Sequence, residues 1–314
     1  MEIDGYRGAL YPLVSRLREV LEVMRGGDEV SFEALDPDLC VGRYSGETDA
    51  GSGYICRGWN GWVSLASSLG CTMLTPDRLP DGRVKIRYRK LLSDSFHTEG
   101  SSGESEKYGI GSRFEKIRKW EEPSFHIHFR EALERVGLQK RRRVLDLGVN
   151  RGDEFAMMMD VLSDSDIRDM EMVGIDHSAS AISEARRRFA DDNVKLYRHD
   201  ISDISSLNLG RFDLIVSIAT LQSPSIPMKR VVMELYGERI SQDGAFIFGF
   251  PNSRWMDGEL IYGAVAPNYP FSELSLVIKD IYWIKKYLQQ HRYRVILTGR
   301  EYLFLTALKI GEGQ

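Results

Sequence analysis

The sequence predicts an α/β chain. Its C-terminal part should form an open, mostly parallel seven-stranded sheet ending in an antiparallel hairpin, with an α+β accessory region before it. Three observations predict this. Residues 143–155 read as a buried strand, a glycine turn and a helix. Further apolar strand-like runs follow, separated by helix-length segments, which is the pattern of parallel strands with crossover helices. Finally, Arg294-Val295-Ile296-Leu297 and Tyr302-Leu303-Phe304-Leu305 are joined only by Thr298-Gly299-Arg300-Glu301. That link permits antiparallel pairing and is too short for a parallel crossover.

Taken in order, Arg7 to Arg25 reads as an amphipathic helix. Leu10, Leu13, Val14, Leu17, Val20, Leu21 and Met24 recur at helical spacing, and Gly26-Gly27 stops it. The stripe either packs on its own domain or serves as a homodimer or partner helix. Val30 to Tyr44 holds strand-like pieces broken by Pro37 and Gly42, and Ser45 to Tyr54 is a glycine-rich loop. A short helix around Trp59 to Leu69 ends at Gly70, and Cys71 to Leu74 is a strand. Val84, Ile86 and Tyr88 alternate with Lys85, Arg87 and Arg89, a half-buried strand with a basic outer face. That face is either a solvated, protected edge or a surface that tracks phosphates. Ser93 to Ser112 is a linker or a lid, and Arg113, Lys116, Arg118 and Lys119 form a second basic cluster. His126 and His128 are two apart, so they share no helix face. Phe125, Phe129, Leu133 and Val136 form a stripe that should dock on the sheet. The expected division is 1–95 accessory domain, 96–122 linker or lid, and 123–314 ligand-binding domain.

Composition sets further bounds. The 314 residues are 42% hydrophobic with a formal net charge of −4, so the chain can bury a core and has no global attraction to nucleic acid. Cys40, Cys56 and Cys71 are an odd number without C-x-x-C spacing, which fits a reducing, cytoplasmic setting. No apolar run approaches membrane-spanning length, and no signal core begins the chain.

The glycine turn is Asp146-Leu147-Gly148-Val149-Asn150-Arg151-Gly152-Asp153-Glu154. It lacks the Gly-Lys-Ser/Thr of a P-loop, and Asn150 and Asp153 stand where a dinucleotide fingerprint counted from Gly148 would need glycines. Asp153 and Glu154 also put two carboxylates at the helix N-terminus, where a pyrophosphate would sit. NAD and ATP are disfavoured, and a ligand with a positive centre and no phosphate suits the turn better.

Asp146-x-Gly148-x-Asn150-x-Gly152 resembles the D/E-x-G-x-G-x-G first motif of class I S-adenosylmethionine-dependent methyltransferases, with Asn150 replacing the middle glycine. Asn accepts left-handed backbone angles better than most residues. The resemblance covers about Phe125 to Leu308 and implies a Rossmann-like fold with S-adenosylmethionine as cofactor. It implies cofactor contacts from Asp146, Gly148, Asn150 and Gly152. Asp176, ending the strand Met172-Val173-Gly174-Ile175-Asp176, would take the ribose hydroxyls with His177 beside it, although it could instead be a helix N-cap. Asp200 and Ile201 would face adenine, or form a simple turn. Ser217 and Ala219, at the end of the run Phe212 to Ser217, would line the cofactor near the methyl group.

Gln222 and the polar-aromatic stretch after Phe250, with Asn252, Arg254, Trp255 and Tyr262, are candidate substrate contacts, because ligands bind beyond the carboxyl ends of strands in such sheets. An ordinary surface loop is the alternative. The N/D-P-P-Y/F signature of amino methyltransferases is absent, and no cysteine lies beyond Cys71 to serve as a cytosine-C5 nucleophile. N- or O-methylation of a small-molecule acceptor is the expectation. RNA methylation through the basic segments, or a non-catalytic cofactor-binding module, are the alternatives. No metal is expected.

Overall fold

A computed structural model describes residues 1–3, 7–92, 116–265 and 272–311. The expected linker or lid lies largely outside these residues, as does Arg113. The chain divides into two compact units, Met1–Thr98 with Arg254–Tyr262, and Glu99–Ser253 with Gly263–Gln314.

The first unit contains β1 (Glu2–Ile3), α1 (Leu10–Val23), β2 (Glu29–Leu35), α2 (Trp59–Ser68), β3 (Cys71–Met73), β4 (Asp77–Arg78) and β5 (Arg83–Lys90). Its sheet runs β1-β2-β5-β3, with β4 also paired to β5. The α1 stripe is buried in this unit's own core: Leu13, Leu17, Val20 and Leu21 pack with Val30, Phe32, Trp62, Val84, Ile86 and Tyr88. Phe32 lies 5.3 Å from the Trp62 ring and 5.4 Å from that of Tyr88. Lys90 Nζ donates to the Leu21 and Met24 carbonyls at 2.5 and 2.8 Å, which satisfies acceptors and complements the dipole at the end of α1.

The basic strand is not at an edge, contrary to one sequence expectation: β5 pairs with both β2 and β3. Three of its cations are ion-paired. Lys85 meets Glu2 at 2.7 Å, Arg87 meets Glu29 at 2.9 Å, and Arg83 bridges Asp81 and Glu33. Acidic residues on neighbouring strands and the preceding turn pair these three cations, while Arg89 Nε is buried without a hydrogen-bond partner among the described residues.

In the second unit, α3 (Pro123–Arg135) precedes β6 (Arg143–Leu147), α4 (Asp153–Asp160), α5 (Asp164–Asp169), β7 (Glu171–Asp176), α6 (Ala179–Arg188) and β8 (Val194–Arg198). Next come β9 (Phe212–Ile218), α7 (Met228–Glu234), β10 (Ile240–Pro251), α8 (Ser275–Gln290), β13 (Tyr293–Gly299) and β14 (Tyr302–Lys309), while the hairpin β11 (Ser253–Met256) and β12 (Glu259–Tyr262), between β10 and α8 in sequence, falls in the first unit from Arg254 to Tyr262. The seven-stranded sheet has the order β13-β14-β10-β9-β6-β7-β8. β10, β9, β6, β7 and β8 are parallel, and β14 joins antiparallel to both β10 and β13.

Alternation assigns the faces. Leu145 and Leu147 of β6 and Leu305 of β14 join one core with α7 and α8. Phe304 turns the other way and meets Phe125 and Phe129 of α3 at 5.4 and 5.9 Å. The α3 stripe thus docks on the sheet. Asp146, two residues after Val144, shares the face away from the α7–α8 core. The acidic segment Asp164 to Asp169 is a short helix. The Ser163 hydroxyl accepts from the Asp166 amide, and Asp164 and Asp166 lie in the first turn, where the dipole favours them.

Candidate active site

The site is built where β6, β7 and β9 end. Gly148 and Val149 both donate backbone N–H to the Ile175 carbonyl, at 2.8 and 3.1 Å, which folds the turn against β7. Gly148, Asn150 and Gly152 have φ of 79°, 47° and 84°. Asn150 therefore does adopt the left-handed geometry that its place in the motif demands. A Cβ on Gly148 would collide with Thr220, and one on Gly152 with Phe189. Both glycines are required by internal packing as well as by backbone angle, and Thr220 is a neighbour that residue spacing does not reveal. Ala219 is a second strained residue, at φ 60°, with its N–H donated to the Gly249 carbonyl at 2.8 Å. Two non-glycine residues in left-handed geometry at adjacent strand ends mark the region as one whose shape is over-determined.

Asp176 ends β7 with its carboxylate engaged twice. Oδ2 accepts from Asn150 N–H at 3.0 Å and Oδ1 from Ser178 N–H at 2.8 Å. The cap of α6 is Ser178, whose hydroxyl accepts from Ala181 N–H, so the capping alternative moves off Asp176. A carboxylate has about four lone-pair positions, so two remain for hydroxyl donors. The ring of His177, half exposed, has Nδ1 3.5 Å from Asp176. Asp200 is exposed and accepts from Ser202 N–H at 2.8 Å. The Ser202 contact holds its carboxyl below the ordinary range, ionised and able to accept further donors. Ile201 is buried beside it. The buried Ser217 hydroxyl donates to the Leu147 carbonyl at 3.1 Å, which ties β9 to the end of β6. Gln222 is half-buried in the turn after β9.

The charge reading of the turn needs correction. Asp153 does not face a ligand as a bare carboxylate: Arg151 reaches it at 2.9 Å and Arg188 at 2.7 Å. Glu154 is ion-paired with Lys119, so that lysine, read in the sequence as part of a basic surface cluster, is turned inward. The unpartnered group is Asp146. It is fully buried, and neither carboxyl oxygen has a hydrogen-bond partner among the described residues. Burial and then the neighbouring Glu154 push its carboxyl well above the usual range.

The expected substrate residues separate. Asn252 is buried at the root of the β11–β12 hairpin. Its Nδ2 donates to the Arg300 carbonyl at 3.0 Å and its backbone N–H to Glu301 at 2.7 Å. The stretch beyond it is a hairpin rather than a loop. Arg254, Trp255 and Tyr262 belong by packing to the first unit, where Glu259 lies 3.4 Å from Thr72. Arg254 Nη1 donates to the Tyr262 carbonyl at 3.3 Å.

Residues 138–292 match the model of a family described as a methyltransferase domain. Over these residues the chain carries a methyltransferase domain, with S-adenosylmethionine as its cofactor. It is similar to a SAM-dependent methyltransferase from Aquifex aeolicus, at 16% identity over 62% of this chain and 98% of that one, with TM-score 0.43. It is also similar to a ribosomal protein L11 methylase from Lactobacillus delbrueckii subsp. bulgaricus (15%, 58% and 77%, TM-score 0.40). A third likeness is to an O-methyltransferase family protein from Burkholderia thailandensis (15%, 60% and 59%, TM-score 0.40). No curated protein matches the chain.

The residues present fit this cofactor. An orphaned buried carboxyl at the glycine turn suits a cationic end. A carboxylate with spare acceptor capacity at the end of β7 suits ribose hydroxyls. Among the described residues no helix is long and apolar enough to cross a membrane.

Proposed function

We propose that the chain transfers the cofactor's methyl group to a nitrogen or oxygen of a small-molecule acceptor. The observation that supports the choice of acceptor class is the pairing of three cations of the basic strand. Lys85, Arg87 and Arg83 are each satisfied by Glu or Asp, and Lys119 by Glu154. Together with a net charge of −4, this leaves little of the free positive surface on which phosphate binding depends.

When bound, the cofactor supplies an electrophilic methyl on a sulfonium. Asp146 would face its positive end, Asp176 would accept from the ribose, and Asp200 with the Ile201 backbone would address the adenine. Gly148, Asn150 and Gly152 fix the turn that holds these groups in register. Positioning of this kind can supply most of the acceleration of a bimolecular displacement.

The test has two stages. Calorimetry should give micromolar binding of S-adenosylmethionine and S-adenosylhomocysteine, about −8 kcal/mol, with none for NAD or ATP. Labelled cofactor is then offered with the metabolite and RNA fractions of a cell extract. Label in the metabolite fraction, insensitive to added salt, supports the proposal. Label in RNA with steep salt dependence overturns the acceptor class and leaves the cofactor in place.

A further inference from the structure

The segment before α3 is tied to the glycine turn at three points. Lys119 Nζ donates to Glu154 Oε1 in the first turn of α4. Arg151 Nη2 donates to the Ile117 carbonyl at 3.3 Å. The Arg151 guanidinium also lies over the Trp120 ring, 5.2 Å from its centroid. The Lys119 side chain is 15% exposed and that of Glu154 only 2%. A buried pair of this kind costs several kcal/mol of solvation per ion, and packed apolar residues would often serve stability as well.

Beside the pair sits Asp146, fully buried and without a hydrogen-bond partner among the described residues. The groups acting on it are Glu154 and Asp153 from α4, Asp176 from the end of β7, and Lys119 from the segment before α3. Asp153 is taken by Arg151 and Arg188, and Asp176 by two backbone N–H groups. Lys119 takes Glu154. One carboxyl is left over with no cation to match it, and a ligand with a positive end supplies the missing charge.

We propose that Lys119 is a positioning residue that commits Glu154, so that Asp146 alone receives the cofactor's positive end, and that the carboxyl gives up its proton when the cofactor binds. This rests on the cofactor assignment above. In the ligand-free protein an unpaired buried carboxyl stays protonated, because the neutral form avoids the desolvation of a charge. An adjacent positive charge reverses that preference. One O–H bond of Asp146 breaks, the proton passes to buffer, and the carboxylate remains against the cation.

The readout is proton stoichiometry, measured by titrating the full chain with S-adenosylmethionine calorimetrically at pH 7 in buffers of different ionisation enthalpy. Wild type should release about one proton per cofactor bound. Asp146→Asn should bind more weakly and release almost none. Lys119→Met leaves Glu154 protonated in the free protein, so release should rise above the wild-type value. Lys119→Arg keeps the pair and should restore that value, and it serves if Lys119→Met does not fold.

No release by wild type, or equal release by Asp146→Asn, overturns the proposal. A Lys119→Met variant that melts earlier but releases the wild-type number of protons reduces Lys119 to a structural partner and overturns its positioning role. Absence of any cofactor binding heat overturns the cofactor assignment itself, a different failure.

Discussion

The two units handle charge in opposite ways. In the first, the basic strand β5 alternates buried apolar residues with Arg and Lys, and Arg83, Lys85 and Arg87 meet acids on neighbouring strands or the adjoining turn near solvent. In the second, Asp146, Asp153, Glu154 and Asp176 are all buried around one turn, and the first of them has no hydrogen-bond partner among the described residues. Exposed pairs cost little to make and contribute little. Buried carboxyls are costly, so a chain that keeps an unmatched one is organised for something other than its own stability. Surface charge in the first unit keeps a sheet soluble and in register. Buried charge in the second is set up for a ligand.

The sharpest test of this contrast compares two glycines of nearly equal φ. Gly148→Ala combines φ 79° with a collision against Thr220, whereas Gly42→Ala, at φ 78°, meets open space. The second change should cost only the left-handed penalty, about 1–2 kcal/mol. The first should cost clearly more in denaturant unfolding and abolish cofactor binding. Equal losses would mean that the turn is no more constrained than a surface loop.

Asp176→Ala comes next. It removes the acceptor for Asn150 and Ser178 as well as the proposed ribose contact. Cofactor affinity should fall by about 1–3 kcal/mol, and the apo melting temperature should fall too. Lost stability with unchanged affinity per folded molecule would confine Asp176 to holding the turn.

Asp146→Asn should move the two properties in opposite directions. The native carboxyl titrates well above its ordinary value of 3.8, so the folded state binds a proton that the unfolded state releases at lower pH. Stability from this group is fully present below the unfolded pKa and is lost as pH rises through the folded one. At neutral pH the Asn variant should therefore melt higher than wild type, with a flatter melting profile against pH, and bind cofactor less tightly. Superimposable profiles would place the proton elsewhere.

The smallest effect belongs to the first unit. Arg87→Ala, which breaks an exposed pair with Glu29, should leave melting temperature and cofactor affinity nearly unchanged. A large loss of either would show that the basic face is more than a solvated, compensated surface.

Much of the second unit was legible because its signals are local. The apolar run of β6, the glycines of the turn and the short β13–β14 link each act within a few residues, and backbone sterics or loop length decides their outcome. The unit to which Arg254 and Trp255 belong was not legible, for the converse reason. A hairpin's strand pairing is local, but the unit its side chains pack with depends on chain far away in sequence.

By itself, then, the sequence determined the parallel sheet with its antiparallel end, the left-handed turn at Gly148, Asn150 and Gly152, and the acidic ends of β6 and β7. Periodicity, glycine stereochemistry and connection length are properties of neighbours along the chain. Only the tertiary structure decided which charges are compensated: Lys85 with Glu2 across 83 residues, Lys119 with Glu154 across 35, and Asp146 with no hydrogen-bond partner among the described residues. Ion pairing is settled by distance and solvent access in three dimensions, and neither is written in the order of the residues.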